Sequence, residues 1–257
     1  MAASMIADAG SFLNFEQLAE GLGLGSYGLS VLKIIGVDIV LAGDNAVVIA
    51  LACRTLPPRQ RVVGIILGAA AAVIMRIGFT LAVGSLLGVP ILAMAGGLIL
   101  FWIAVKLLLA EEASEDSARS GETLWDAVKT IAIADAVMSL DNVLAIAGAA
   151  KGDWSLIVMG LLISIPLVVG GSTLIMTLLS RFPMLVWGGA ALLGWIAGEL
   201  IVGEKVLQPY VTTITDKLGI NFHTFELWCA TVGASFVIAV GLLVMRARSG
   251  AHRGGPD

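Results

Sequence analysis

The stretch "DIVLAGDN", residues 38–45, constrains this chain more than any other, because it sets two aspartates and an asparagine inside an apolar run. The run extends from residue 28 to residue 52, long enough for a helix to cross a bilayer. A carboxylate near the middle of such a span costs about 2.5–3.5 kcal/mol on insertion scales. Two of them, Asp38 and Asp44, ask for a compensating role.

Seven apolar runs can be traced, at 28–52, 62–88, 90–110, 126–149, 155–179, 183–203 and 224–245. With 58% apolar and only 13% charged residues, the chain reads as an all-α polytopic membrane protein with seven transmembrane helices. Arg54, Arg59, Arg61, Arg119, Arg181, Arg246, Arg248 and Arg253 fall in alternate loops or the tail, while the opposite loops hold Lys151, Lys205 and Lys217. The positive-inside rule then puts the N-terminus outside and the C-terminus in the cytoplasm. No Lys or Arg precedes Lys33, so the basic region of a signal peptide is missing. "FLNFEQLAEGLG", residues 12–23, reads as a short amphipathic helix at the membrane surface. Two cysteines and two histidines exclude a soft or imidazole-rich metal cluster, and Cys53 and Cys229 sit near opposite faces, too far apart to bridge.

The acidic motif comes twice. Residues 135–142 read "DAVMSLDN", so Asp38, Asp44 and Asn45 correspond to Asp135, Asp141 and Asn142. The correspondence continues from "VVGIIL" at Val62 to "VMGLLI" at Val158, and from the segment after Pro90 to that after Pro183, which superposes Lys106 on Glu199. The repeated unit is three helices, an odd number, so the second copy enters the membrane from the other side. The expected architecture is two inverted three-helix repeats plus a seventh helix, with a site at the midplane between the halves. The layout is an external segment at 1–27, repeat one at 28–110, an acidic cytoplasmic linker at 111–125 and repeat two at 126–203. An external loop at 204–223, the seventh helix at 224–246 and a cytoplasmic tail at 247–257 complete it.

Asp38 and Asn45, seven residues apart, face the same way on a helix, whereas Asp44 is turned about 120° away. Either the carboxylates meet different neighbours, or the helix opens near Gly43 and frees backbone carbonyls. Four clustered carboxylates in low dielectric need protons or a cation, and an all-oxygen set of Asp, Asn and carbonyls suits a hard divalent ion such as Mg, Ca or Mn. Asp38, Asp44, Asn45, Asp135, Asp141 and Asn142 are the candidate ligands of that ion. The bland alternative is a set of interhelical hydrogen bonds, with Arg76 as a structural partner. The functional reading of Arg76 is a counter-charge that holds the empty site together or yields when the ion binds. Met138 shares the face of Asp135 and Asn142 and is a candidate soft ligand or selectivity residue, against ordinary packing. Glu199 and Lys106 are candidate pathway residues, against an interface role for the first and a snorkelling one for the second.

"GVDIVLAGDNAVVIALACRTLP" together with "IADAVMSLDNVLAIAGAA" resembles the TerC family of integral membrane proteins, in its compact YjbE-type branch linked to manganese export. The resemblance covers nearly all of residues 28–245 and implies a LysE-like exporter plan, with the family's acidic motif falling on the six residues above. It also implies the cargo, Mn2+, and the direction, out of the cytoplasm. The residue types alone leave Ca2+ and Mg2+ open. The expected protein is thus a secondary transporter and not an enzyme. It has no resident cofactor and no nucleic-acid partner; lipid and a divalent ion are its partners, protons are a candidate counter-ion, and an oligomer is compatible with the sequence. A membrane scaffold that assists metallation of exported proteins is the alternative. An intramembrane aspartyl protease fits poorly: "LAGD" is not its Gly-x-Gly-Asp, no Pro-Ala-Leu occurs, and a two-Asp dyad leaves the second repeated aspartates unexplained.

Overall fold

The computed structural model describes residues 43–86, 91–116, 123–150 and 154–252, together with residue 28. All regular structure among the described residues is helical. Helix α1 covers 43–54, followed by α2 (Pro58–Leu86), α3 (Leu92–Asp116), α4 (Leu124–Ala150), α5 (Trp154–Arg181), α6 (Met184–Gly203), α7 (Gln208–Leu218) and α8 (Phe222–His252). In lipid a spanning segment must satisfy its own backbone, so long apolar runs become helices whatever their residue propensities. Among the described residues, five stretches are long and apolar enough to cross a membrane: Pro58–Thr80, Leu92–Ala110, Val158–Arg181, Met184–Gly203 and Phe222–Arg246. They correspond to the expected second, third, fifth, sixth and seventh spans. The expected fourth span is α4, whose 27 residues make about 40 Å of helix. Of the expected first span only residue 28 and the part from Gly43 are described, and the surface helix at 12–23, Lys33, Asp38, Arg119, Lys151 and Arg253 lie outside the described residues.

The helices form two compact units. One contains α1 through Cys53, α2, α4 and α5 through Thr177. Here α2 packs along α4, and their numbers rise together: a Cβ on Gly68 would meet Ile131 at 2.5 Å, and further along Arg76 meets Asp135 and Ser139. The two helices therefore run parallel. Ile49, Leu51, Ile65, Ile131 and Leu161 are fully buried in this unit, while Val62, Ile66, Ile74, Leu162, Leu167 and Leu174 point outward. An outer surface so rich in aliphatic side chains is that of a protein solvated by lipid.

The second unit contains α3, α6, α7 and α8, with the end of α5. Helix α6 is its centre, packed on both α3 and α8. Gly194 and Gly198 let α8 approach backbone to backbone: a Cβ on Gly198 would lie 2.6 Å from Cys229 O, and one on Gly194 2.7 Å from Gly233 O. Small residues four apart give this contact in membranes, where van der Waals packing replaces the hydrophobic drive between helices. Gly97 on α3 plays the same part towards Ala197 and Ile201 of α6. Phe101 stands edge-on to Phe236 of α8, with ring centroids 5.5 Å apart. Both cysteines are free thiols.

One clasp in this unit joins distant parts of the chain. The buried carboxylate of Glu204, just past α6, accepts hydrogen bonds from the backbone N–H of Ala93 (3.1 Å) and Met94 (3.4 Å). These are donors that the first turn of α3 leaves without a helical partner. The end of α6 thus meets the start of α3, and the two run antiparallel. Ile91, directly before α3, has φ 69°, a left-handed conformation that costs a β-branched residue about 1–3 kcal/mol.

Candidate functional site

The site is built on α2 and α4. Asp135, in the middle of α4, is 3% exposed, and Arg76, in α2, is 4% exposed. Arg76 Nη2 donates to Asp135 Oδ1 at 2.6 Å. Arg76 Nε donates to Ser139 Oγ at 3.2 Å, and Ser139 Oγ donates in turn to Asp135 Oδ2 at 3.1 Å. One turn of α4 places Ser139 directly beside Asp135, because residues four apart share a helix face. Both oxygens of the carboxylate are engaged, one by the guanidinium and one by the hydroxyl. The next turn of α2 follows the same economy: Thr80 Oγ1 donates to Arg76 O at 2.7 Å, so the hydroxyl needs no partner from lipid. A charge this deeply buried persists only when paired and hydrogen-bonded, and Arg76 and Ser139 supply both conditions for Asp135.

Helix α1 brings the first copy of the motif to this pair. Asn45 is buried and lines a cavity of about 10 Å3 together with Val48, Ile49, Ala72, Ile131 and Asp135, close to the room one water needs. Asp44 is half-buried, accepts a hydrogen bond from the Asn45 backbone N–H at 2.8 Å, and lies within electrostatic reach of both Arg76 and Asp135. The structure therefore gathers Asp44, Asn45, Arg76 and Asp135. Met138 is buried on α4, one turn from Asp135. Asp38 lies outside the described residues, and Asp141 and Asn142 lie on α4 with side chains outside the description. Among the described residues, no three His, Cys, Asp or Glu side chains converge on one point. Helix α4 continues unbroken through residues 135–142, and Gly43 to Asn45 are already helical, so an opening near Gly43 would lie on its N-terminal side, outside the described residues.

Lys106 and Glu199 belong to the other unit. Glu199 accepts a hydrogen bond from Trp195 Nε1 at 2.8 Å, and the Lys106 ammonium lies 5.7 Å from the ring centroid of Trp102, both within one helical turn. Ser139 was not among the candidates from sequence. Its signal was the four-residue step from Asp135. The repeat is also unequal in its cation: by the "VVGIIL" to "VMGLLI" correspondence, Arg76 falls on Ser172, whose buried hydroxyl donates to Val168 O at 2.7 Å.

Residues 25–249 match the integral membrane protein TerC family. The chain is 46% identical to the membrane protein YjbE of Bacillus subtilis (strain 168) over 185 residues, covering 72% of this chain and 84% of YjbE. It is 26% identical to the membrane protein YkoY of the same organism over 211 residues, 74% of this chain and 63% of YkoY. With the inner membrane protein YoaE of Escherichia coli (strain K12) it shares 33% identity over 137 residues, 46% of this chain but only 26% of YoaE. No solved structure matches. With its apolar spanning helices and a family match over nearly its whole length, the chain belongs to the TerC family of integral membrane proteins and is a multi-pass membrane protein.

Proposed function

We propose that this protein is a secondary transporter that exports a divalent cation, Mn2+, by alternating access around the duplicated acidic motif. The observation that carries the reading is the buried Asp135, held by Arg76 and Ser139 beside a cavity that also presents Asn45. Oxygen donors of this kind suit a hard or borderline divalent ion. Both Asp135 oxygens are engaged by the chain itself, one by Arg76 and one by Ser139. Arg76 stands in for the ion, and an arriving cation shared by Asp44, Asn45 and Asp135 would release it. Asp38, Asp141 and Asn142 complete the proposed ligand set, and protons exchanged with the carboxylates are the proposed counter-ion. Arg76 falls on Ser172 in the other copy, so the two halves differ in charge at this position.

The helix directions agree with spans that alternate across the membrane, as those of an inverted repeat must. The second helix of copy one, α2, runs parallel to the first of copy two, α4, while the two third helices, α3 and α6, run antiparallel. An inverted pair of three-helix units requires both relations. With α8 as a seventh span and the N-terminus outside, the arginine-rich loops face the cytoplasm.

Purified protein in liposomes loaded with a Mn2+-sensitive dye tests the proposal. Mn2+ flux is expected for the parent and absent for Asp44→Asn and Asp141→Asn, with both variants still inserted. A parent that binds Mn2+ without moving it would leave a membrane scaffold as the better description. Loss of inserted protein in both variants would make the aspartates structural.

A further inference from the structure

Helix α7 divides its surface three ways. Val211 and Thr215 are buried against the unit, and Thr212, Thr213 and Asp216 form an exposed polar face. Between these lies a third flank of Tyr210, Ile214 and Leu218, which are 68%, 41% and 55% exposed. They stand four residues apart, so the row drifts by only about 40° per step and forms one stripe, with Val206 exposed just ahead of it. A helix resting on a protein in water needs a packed edge and a polar face. An exposed apolar stripe beside them calls for another medium.

The chain leaves α7 no distance to travel. Residues 204–207 connect it to the spanning helix α6 and residues 219–221 to the spanning helix α8. At about 3.3–3.6 Å per residue, both ends of α7 stay within roughly 10–15 Å of the span ends. The entry is fixed more tightly still, because Glu204 is bound to the first turn of α3 and so sits at the level where that span begins. Gly219, left-handed with φ 65°, ends the helix and turns the chain directly into α8. On α8, Trp228, Val232 and Phe236 are again exposed at four-residue intervals, the row of a helix that faces lipid. Lys217 lies beside the line of Tyr210 on the helix surface, where its stem can lie along lipid while its ammonium reaches headgroups.

From these relations we infer that α7 is an interfacial helix: it lies in the plane of the membrane surface with Tyr210, Ile214 and Leu218 in the headgroup and acyl boundary. Its occupant is the lipid of the membrane the protein already spans. Tyrosine suits that depth because its ring is apolar and its hydroxyl polar. A short helix held in this plane between two spans fixes how deep α6 and α8 sit, and it anchors the Glu204 clasp at the surface.

Site-directed spin labelling tests this in the full-length protein, reconstituted in vesicles of phosphatidylethanolamine and phosphatidylglycerol. Cys229→Ala removes the half-exposed thiol, and the fully buried Cys53 is retained as an unlabelled control. Labels introduced by Tyr210→Cys, Ile214→Cys or Leu218→Cys should collide with dissolved oxygen several-fold more than with a water-soluble nickel chelate. Labels introduced by Thr212→Cys or Asp216→Cys should show the reverse. Three positions report on the stripe, so failure of one variant to fold leaves two. High nickel accessibility at all positions would place α7 in water and overturn the inference. Low accessibility to both reagents, with dipolar broadening between labels, would put a second copy on the stripe and overturn it equally.

Discussion

Arg76 and Asp135 form an ion pair with Nη2 and Oδ1 2.6 Å apart, on two parallel helices and almost entirely out of solvent. Removing one member of such a pair leaves a bare charge behind, which costs about 3–5 kcal/mol, whereas removing both is often close to neutral. Arg76→Gln should therefore lower the thermal stability of the purified protein more than Arg76→Gln combined with Asp135→Asn. Melting followed by intrinsic fluorescence in detergent gives the order. If Asp135 also binds cargo, the double variant recovers stability and not flux. Equal melting of single and double variants would mean that the pair carries no net coupling.

Met138 offers a test of how the proposed cargo would be recognised. It is buried on α4, one turn after Asp135, and the equivalent position in the first copy is Leu41, so the repeat does not itself require sulfur there. Met138→Leu is close in volume and should cost less than about 1.5 kcal/mol in stability. If the thioether helps select Mn2+, the leucine variant admits Mg2+ or Ca2+ as competitors in liposome flux. A variant that excludes both ions as well as the parent does would assign Met138 to packing and selectivity to the oxygen ligands.

The direction of the helices has its own test. A reporter fused after Gly121 should be active only in the cytoplasm, and one fused at Lys217 only outside. Reporters on the same side would remove the inverted repeat and, with it, the symmetry that relates the two acidic motifs.

The spans were legible in the sequence because lipid leaves the backbone only one economical solution for a single segment. Arg76 was legible as a partner for one of the aspartates, but that the partner is Asp135 was not, since spacing along a chain gives no distance between helices. Ser139 escaped notice because one hydroxyl in a membrane helix usually bonds its own backbone, as Ser172 does. Helix α7 was hidden inside a segment read as a loop. Its sequence "QPYVTTITDKL" is rich in threonine, a weak helix former, and Pro209 and Gly219 bracket it like turn residues. All three threonines settle by bonding backward, Thr212 to Gln208 O at 3.0 Å, Thr213 to Pro209 O at 2.8 Å and Thr215 to Thr212 O at 2.9 Å. Helix α3 likewise continues to Asp116, into a stretch whose acidic composition resembled a linker.

The bond between Glu204 and the first turn of α3 also sets an order of events during synthesis. Ala93 leaves the ribosome 111 residues before the carboxylate that will cap it. At about 5–20 residues per second, the start of α3 waits roughly 5–20 s for that partner. Until then its free N–H groups must stay at the wet edge of the bilayer or in the insertion machinery. The third span is therefore only provisionally seated when it enters the membrane, and the sixth completes it.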